Sequence, residues 1–268
     1  LRNFWVMLFF SRGVPRVVSG DEFGRTQNGN NNPWALNTVG MWNNWAMAAS
    51  NAPTRVPVDE THPEYRYHDN FGQSTAPEGV NPLFTLATFV ANLRLAHPGL
   101  RQASYGNTTL DDADVTYEFA APDGSPLTEG ARNLRVHIDA STVAGDDMVL
   151  LVAMGTEPVP FTLHRPSEGK AWRKIIDTHA YAEPVGNCWR VPDAEVVGDS
   201  YVAQPWSIAV LIETSDASLA AYRTDAEPAS DSDVAGDGRL SRGEVAAKAA
   251  EQVGAALKSV LGKVLRRG

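Results

Sequence analysis

The side chains best suited to chemistry crowd into one stretch. Asp21, Glu22 and Arg25 come just after Gly20, and Asn28, Asn30, Asn31, Asn32 and Trp34 follow. Carboxylates and a guanidinium make charged hydrogen bonds, amides both donate and accept, and an indole ring stacks on the apolar face of a sugar. The set therefore suits a neutral, hydroxyl-rich ligand. Asp21 and Glu22 cannot themselves be the carboxylate pair of a retaining glycosidase, which must flank one scissile bond, because adjacent residues on an extended segment point to opposite faces. Their expected role is to hold the loop or a neighbouring residue, with Arg25 either paired to one of them or lining the site.

Residues 1–12 are apolar on nearly every face of a helix and so expect protein on most sides. Gly13 ends that helix, Pro15 prevents its continuation, and Val17 and Val18 form the core of a predicted buried strand. Asp21 and Glu22 then lie past the strand's carboxyl end, where α/β folds bind ligands. A loop over 28–80 carries Trp34, Trp42 and Trp45 and is punctuated by Pro53, Pro57, Pro63 and Pro77. Its length suits a binding wall or lid. Residues 81–97 show helical spacing, with Pro82 in the first turn and Pro98 and Gly99 as the stop.

From 105 to 213 the period changes to short apolar runs, at 115–120, 134–138, 148–154, 161–163, 172–176, 188–191 and 208–212, separated by turns. This predicts an antiparallel β-sandwich. Residues 214–232 have the composition of a linker, and 244–267 form a predicted amphipathic helix that is basic toward its end. That helix suits docking on its own domain, on a partner or on an anionic membrane surface. Between them, Asp233, Asp237, Ser241 and Glu244 occupy oxygen-ligand positions of an EF-hand-like calcium loop, with Ala235 where another ligand is expected. Ser241 and Glu244 equally form a helix capping box that requires no ion. Both readings stay open.

Gly13, Pro15, Gly20, Asp21 and Glu22 together resemble the last conserved strand segment of the α-amylase superfamily barrel, and the extension FGRTQNGNNN is similar to its glycogen-debranching and isoamylase branch. Segments 114–116, 122–126, 172–178 and 206–212 resemble the same branch, so the likeness is scattered over 1–213. It implies a fold of class α/β plus all-β: the last part of a (β/α)8 barrel over 1–97, a β-sandwich over 98–213, a linker over 214–232 and a helical tail over 233–268. It also implies cleavage of α-1,6 branches in glycogen or a related α-glucan, with Asp21, Glu22, Arg25, Asn30, Asn31, Asn32 and Trp34 contributing to the substrate wall. The family's catalytic acids precede this segment, so the chain is expected to be a carboxyl-terminal fragment, inactive alone. Segments 34–44 and 62–71 depart from the family pattern.

Charge and composition narrow the alternatives. A net charge of −9 does not suit nucleic acid, and no run of apolar residues is long enough to span a bilayer. His62, His68 and His97 lack the spacing of a zinc site. The single cysteine, Cys188, excludes an internal disulfide and fits a reducing, cytoplasmic setting. No cofactor other than calcium in the tail is expected. Two further classes stay open: a carbohydrate-binding module centred on the sandwich, and a calcium- or partner-binding protein centred on the tail.

Overall fold

The computed structural model describes residues 1–25, 32, 34, 43, 45–48, 81–102, 115–143, 145–215 and 219. One helix approaches an antiparallel sheet, and a second packs on the first. Helix α1, Arg2–Phe10, buries Trp5, Val6, Phe9 and Phe10 on one side, with the Trp5 and Phe9 rings stacked 5.2 Å apart. Its other side leaves Leu1, Phe4, Met7 and Leu8 exposed. Gly13, at φ 92°, takes the chain out of the helix through a conformation that a side chain would resist.

The strand expected at Val17 and Val18 does not form. Residues 14–18 carry no regular structure, and Val14 and Val18 are 93% and 55% exposed. A strand requires a neighbour to take its backbone hydrogen bonds, and among the described residues none runs alongside this segment.

Helix α2, Pro82–Ala96, starts where the sequence places it. Asn81 caps it by accepting from the Leu83 amide, and Pro82 occupies the first turn. Arg94, on its last turn, is buried and donates to the carbonyls of Phe9, Ser11 and Gly13. One guanidinium therefore satisfies the orphan end of α1 and locks it to α2. At the C-cap of α2, burial lowers the His97 imidazole pKa to about 4.

Six strands form the main sheet in the order β1-β2-β3-β8-β5-β6, and every pair is antiparallel. They are β1 Thr116–Ala120, β2 Asn133–Asp139, β3 Met148–Ala153, β5 Lys170–Asp177, β6 Glu195–Val197 and β8 Ser207–Ser215. Strands β4, Val159–Thr162, and β7, Ser200–Ala203, pair as a second small sheet. Instead of two comparable sheets, the β-rich region has one broad layer and one narrow one. Phe161 and Ala203 of the narrow layer pack with Val149, Leu151, Trp172, Ala209 and Leu211 of the broad one.

The run at 188–191 is not a strand. Cys188 makes a single bridge to Ile176, and Pro192 then sits in a short 3-10 turn, Val191–Asp193. Burial pushes the Cys188 thiol up to about 12, which makes it inert rather than nucleophilic.

Polar contacts bind α1 to the sheet. Arg2 donates to the Thr178 carbonyl at 2.9 Å and pairs with Glu183 at 2.8 Å. Asn3 donates to the Trp206 carbonyl, the Tyr117 hydroxyl donates to the Phe10 carbonyl, and Arg12 reaches the Val115 carbonyl. Beside them, Met7 and Phe10 face Tyr117, Phe119, Leu134 and Val152 across an apolar cavity of about 630 Å³.

Candidate functional site

Gly20 governs the candidate loop. Its φ of 102° is a glycine conformation, and a Cβ there would lie 2.7 Å from both the Arg25 Cδ and the Asn43 Oδ1. The chain then makes one 3-10 turn, Asp21–Phe23, and leaves through Gly24, also left-handed at φ 81°. Phe23 is the buried anchor of this turn. Asn81 ties it to α2 by donating to the carbonyls of Met47 at 2.8 Å and Phe23 at 3.4 Å.

Both carboxylates turn back on their own loop. The Glu22 Oε2 accepts from the Gly20 amide at 2.8 Å, and the Asp21 Oδ2 accepts from the Val18 amide at 3.3 Å. This is a holding geometry for the loop rather than an acid-base pair. Arg25 lies against Gly20, and its Nε and the Asn43 Oδ1 are buried and have no hydrogen-bond partner among the described residues. The other amide atom of Asn43 donates to the Ser19 hydroxyl at 3.1 Å.

The Asn32 Oδ1 accepts from the Trp34 amide at 3.3 Å, and the Trp34 indole is 92% exposed. Asn30 and Asn31 lie outside the described residues, as do Asp233, Asp237, Ser241 and Glu244. The structure thus brings Asp21, Glu22 and Arg25 together. It adds Asn43 and Asn81, which the sequence reading did not select. An asparagine directly before Pro82 at a helix start was the available signal for Asn81; its donation to Met47 and Phe23 left no local trace.

A second polar cluster sits at the end of β5. Asp177 accepts from the hydroxyls of Tyr201 at 2.8 Å and Tyr181, while Lys174 Nζ lies 3.3 Å from both hydroxyls and 2.9 Å from Glu195. Burial, with the Tyr181 hydroxyl and the Asp177 charge, raises the Tyr201 phenol well above its ordinary value. Tyr201 is therefore a fixed donor, and the cluster is a closed network with its partners in place.

No protein-family model matches the chain. Among curated proteins it is 29% identical to an isoamylase from Flavobacterium sp. over 187 residues, 66% of this chain and 20% of that protein. It is 42% identical over 52 residues to a glycogen operon protein GlgX homolog from Mycobacterium tuberculosis, 19% of this chain and 7% of that protein. It is likewise 42% identical over 45 residues to isoamylase 1, chloroplastic, of Arabidopsis thaliana, 17% of this chain and 6% of that protein. The chain thus matches only a fraction of each relative's length. Among solved structures, a type I pullulanase from Bacillus subtilis complexed with maltose aligns with TM-score 0.48 at 15% identity, over 79% of this chain and 22% of that one. The trehalulose synthase MutB from Pseudomonas mesoacidophila aligns with TM-score 0.38 at 14% identity, over 80% and 38%.

The class these sequence relatives support is the α-amylase superfamily of glycoside hydrolases. Within it, they support the isoamylase-type, glycogen-debranching branch.

Proposed function

We propose that this chain is the carboxyl-terminal part of a glycoside hydrolase that cleaves α-1,6 branch linkages in glycogen or a related α-glucan. The observation that carries the reading is the similarity to isoamylase over 66% of the chain. The self-held Gly20–Arg25 loop supports it from within the chain. In this reading Asp21 and Glu22 fix the loop, while Arg25, Asn30, Asn31, Asn32 and Trp34 contribute to the wall that meets the glucan. Catalysis in the complete enzyme proceeds with retention through a glycosyl-enzyme intermediate, using acids outside these 268 residues.

The setting proposed is cytoplasmic. Among the described residues no helix is long and apolar enough to cross a membrane. Calcium in the 233–244 loop is a separate proposal, tested by titrating the chain and its Glu244→Gln variant with calcium.

The functional test compares two preparations on a branched α-glucan. The native polypeptide isolated from its source is expected to release reducing ends, and the 268-residue chain is expected to release none. Release by the 268-residue chain would overturn the assignment of catalysis to residues outside it. No release by the native polypeptide would overturn the hydrolase reading.

A further inference from the structure

Glu118 on β1 and His137 on β2 are directly paired across the sheet, and His164 follows β4 in the narrow layer. One ligand atom from each lies within 4.8 Å of the others. The Glu118 Oε2 is 3.9 Å from the His137 Nδ1 and 3.9 Å from the His164 Nε2. These gaps are too long for hydrogen bonds.

The hydrogen bonds around the cluster orient both rings. The His137 Nε2 faces the Asp147 Oδ2 at 3.4 Å, so a proton on Nε2 leaves the Nδ1 lone pair toward Glu118. The Asp147 carboxylate is itself held by the Ala140 amide at 2.8 Å. A carboxylate behind the far nitrogen of a histidine is the usual outer partner of a metal-bound imidazole. The His164 Nε2 accepts from the Arg135 Nη2 at 3.0 Å, which makes it the lone-pair nitrogen, and the Nδ1 is buried with no partner among the described residues. The His137 Nδ1 lone pair and a Glu118 carboxylate oxygen therefore converge on the His164 Nε2, whose own lone pair is held by the Arg135 N–H until the guanidinium is displaced.

We propose that Glu118, His137 and His164 bind a divalent transition-metal ion of the zinc class. Two imidazoles and a carboxylate at about 2.0–2.2 Å from tetrahedral zinc stand about 3.4 Å apart, so the two Glu118 gaps of 3.9 Å close by about half an ångström and the gap between the two histidines, within 4.8 Å, by up to about 1.4 Å. Glu118 and His164, whose side chains are 53% and 36% exposed, supply the movement. The fourth position opens to solvent on the Glu118 side. Arg135 gives up His164 on loading but stays anchored through Nη1 to the Thr162 carbonyl. The carboxylates of Glu118 and Asp147 outnumber the Arg135 guanidinium, which favours a cation. The ion would tie the broad sheet to the narrow layer over Trp172, whose ring meets His137 edge-on at 6.3 Å. Asp147 is a positioning residue in this site.

The test is calorimetric titration of the metal-free 268-residue chain with zinc, with cobalt absorption as the report of coordination geometry. One equivalent is expected to bind, raising Tm because the site exists only in the folded chain. His164→Ala should abolish the event. Glu118→Gln, at an exposed position that leaves folding intact, and Asp147→Asn should each weaken it about tenfold or more. Glu157→Gln, in the exposed turn between β3 and β4, should leave it unchanged. Absence of binding would overturn the proposal, as would equal binding by wild type, Glu118→Gln and His164→Ala.

Discussion

The β-rich region and the helical layer hold their apolar residues in opposite ways. Every residue of β3 is buried and so are the first eight of β8, because the narrow sheet covers one face of the broad sheet and α1 approaches the other. In α1 only one face is covered, and Phe4 and Leu8 point outward. The sheet is held chiefly by burial, α1 by the carbonyl contacts of Arg94, Arg2, Asn3 and Tyr117. An apolar sequence does not by itself bury a segment; covering elements on both sides do.

The comparison breaks most strongly at Trp172, which is fully buried and donates its indole N–H to the His164 carbonyl at 2.8 Å. Trp172→Ala is expected to cost about 4 kcal/mol in urea unfolding, through cavity formation and a lost hydrogen bond. Arg94→Met keeps the aliphatic stem but strands the carbonyls of Phe9, Ser11 and Gly13. A loss of about 3 kcal/mol is expected, with faster amide exchange in α1 than in β3. Equal acceleration in both would mean that the helix and the sheet unfold as one unit.

Acid should act through His97. Its folded pKa is lowered from 6.5 to about 4 by burial, so below pH 6.5 the unfolded chain takes up a proton that the folded chain refuses. Stability contributed by this group is therefore complete above pH 6.5 and falls by up to about 1.4 kcal/mol per unit toward pH 4. Below that value the loss levels off. His97→Gln should flatten this limb of the profile measured by chemical denaturation, and an unchanged limb would exclude His97 as its source. The smallest effect is expected at Phe4, which is 73% exposed: Phe4→Ser should change the stability of the chain by no more than about 0.5 kcal/mol. A larger loss would show that the outer face of α1 is covered in solution.

Much of the sheet was legible from the sequence. The continuous apolar runs of β3 and β8 and the mixed runs of β1, β2 and β5 fall where periodicity places them. β6 and β7 were missed because Glu195–Val197 and Ser200–Ala203 are short and set among turn residues. Val17 and Val18 read as a strand on local pattern alone, yet pairing is a property of neighbours, and the described residues offer none. The adjacency of Asp21 and Glu22 sets them on opposite faces only in an extended segment, whereas the chain folds them into a 3-10 turn in which both accept from amides of their own loop. Arg94 gave no signal, since its partners lie more than 80 positions away. Glu118, His137 and His164 were equally silent, because only strand register and the fold of the narrow layer bring them together. The histidines weighed for a metal from spacing alone included His97, which instead ends α2 in a buried site.

The enclosure of β3 and β8 has a consequence for the chain before it folds. Residues 148–153 and 207–212 contain no charge and no proline, and each strand is shielded by neighbours on both edges only once the sheet is assembled. In the nascent chain the same segments have the composition that stacks with identical copies. Asp146 and Asp147 just before β3, and Glu213 near the end of β8, are the charges placed to interrupt such stacking. Recovery of soluble protein after dilution from denaturant should therefore depend steeply on chain concentration, with the race between intramolecular pairing and self-association setting the yield.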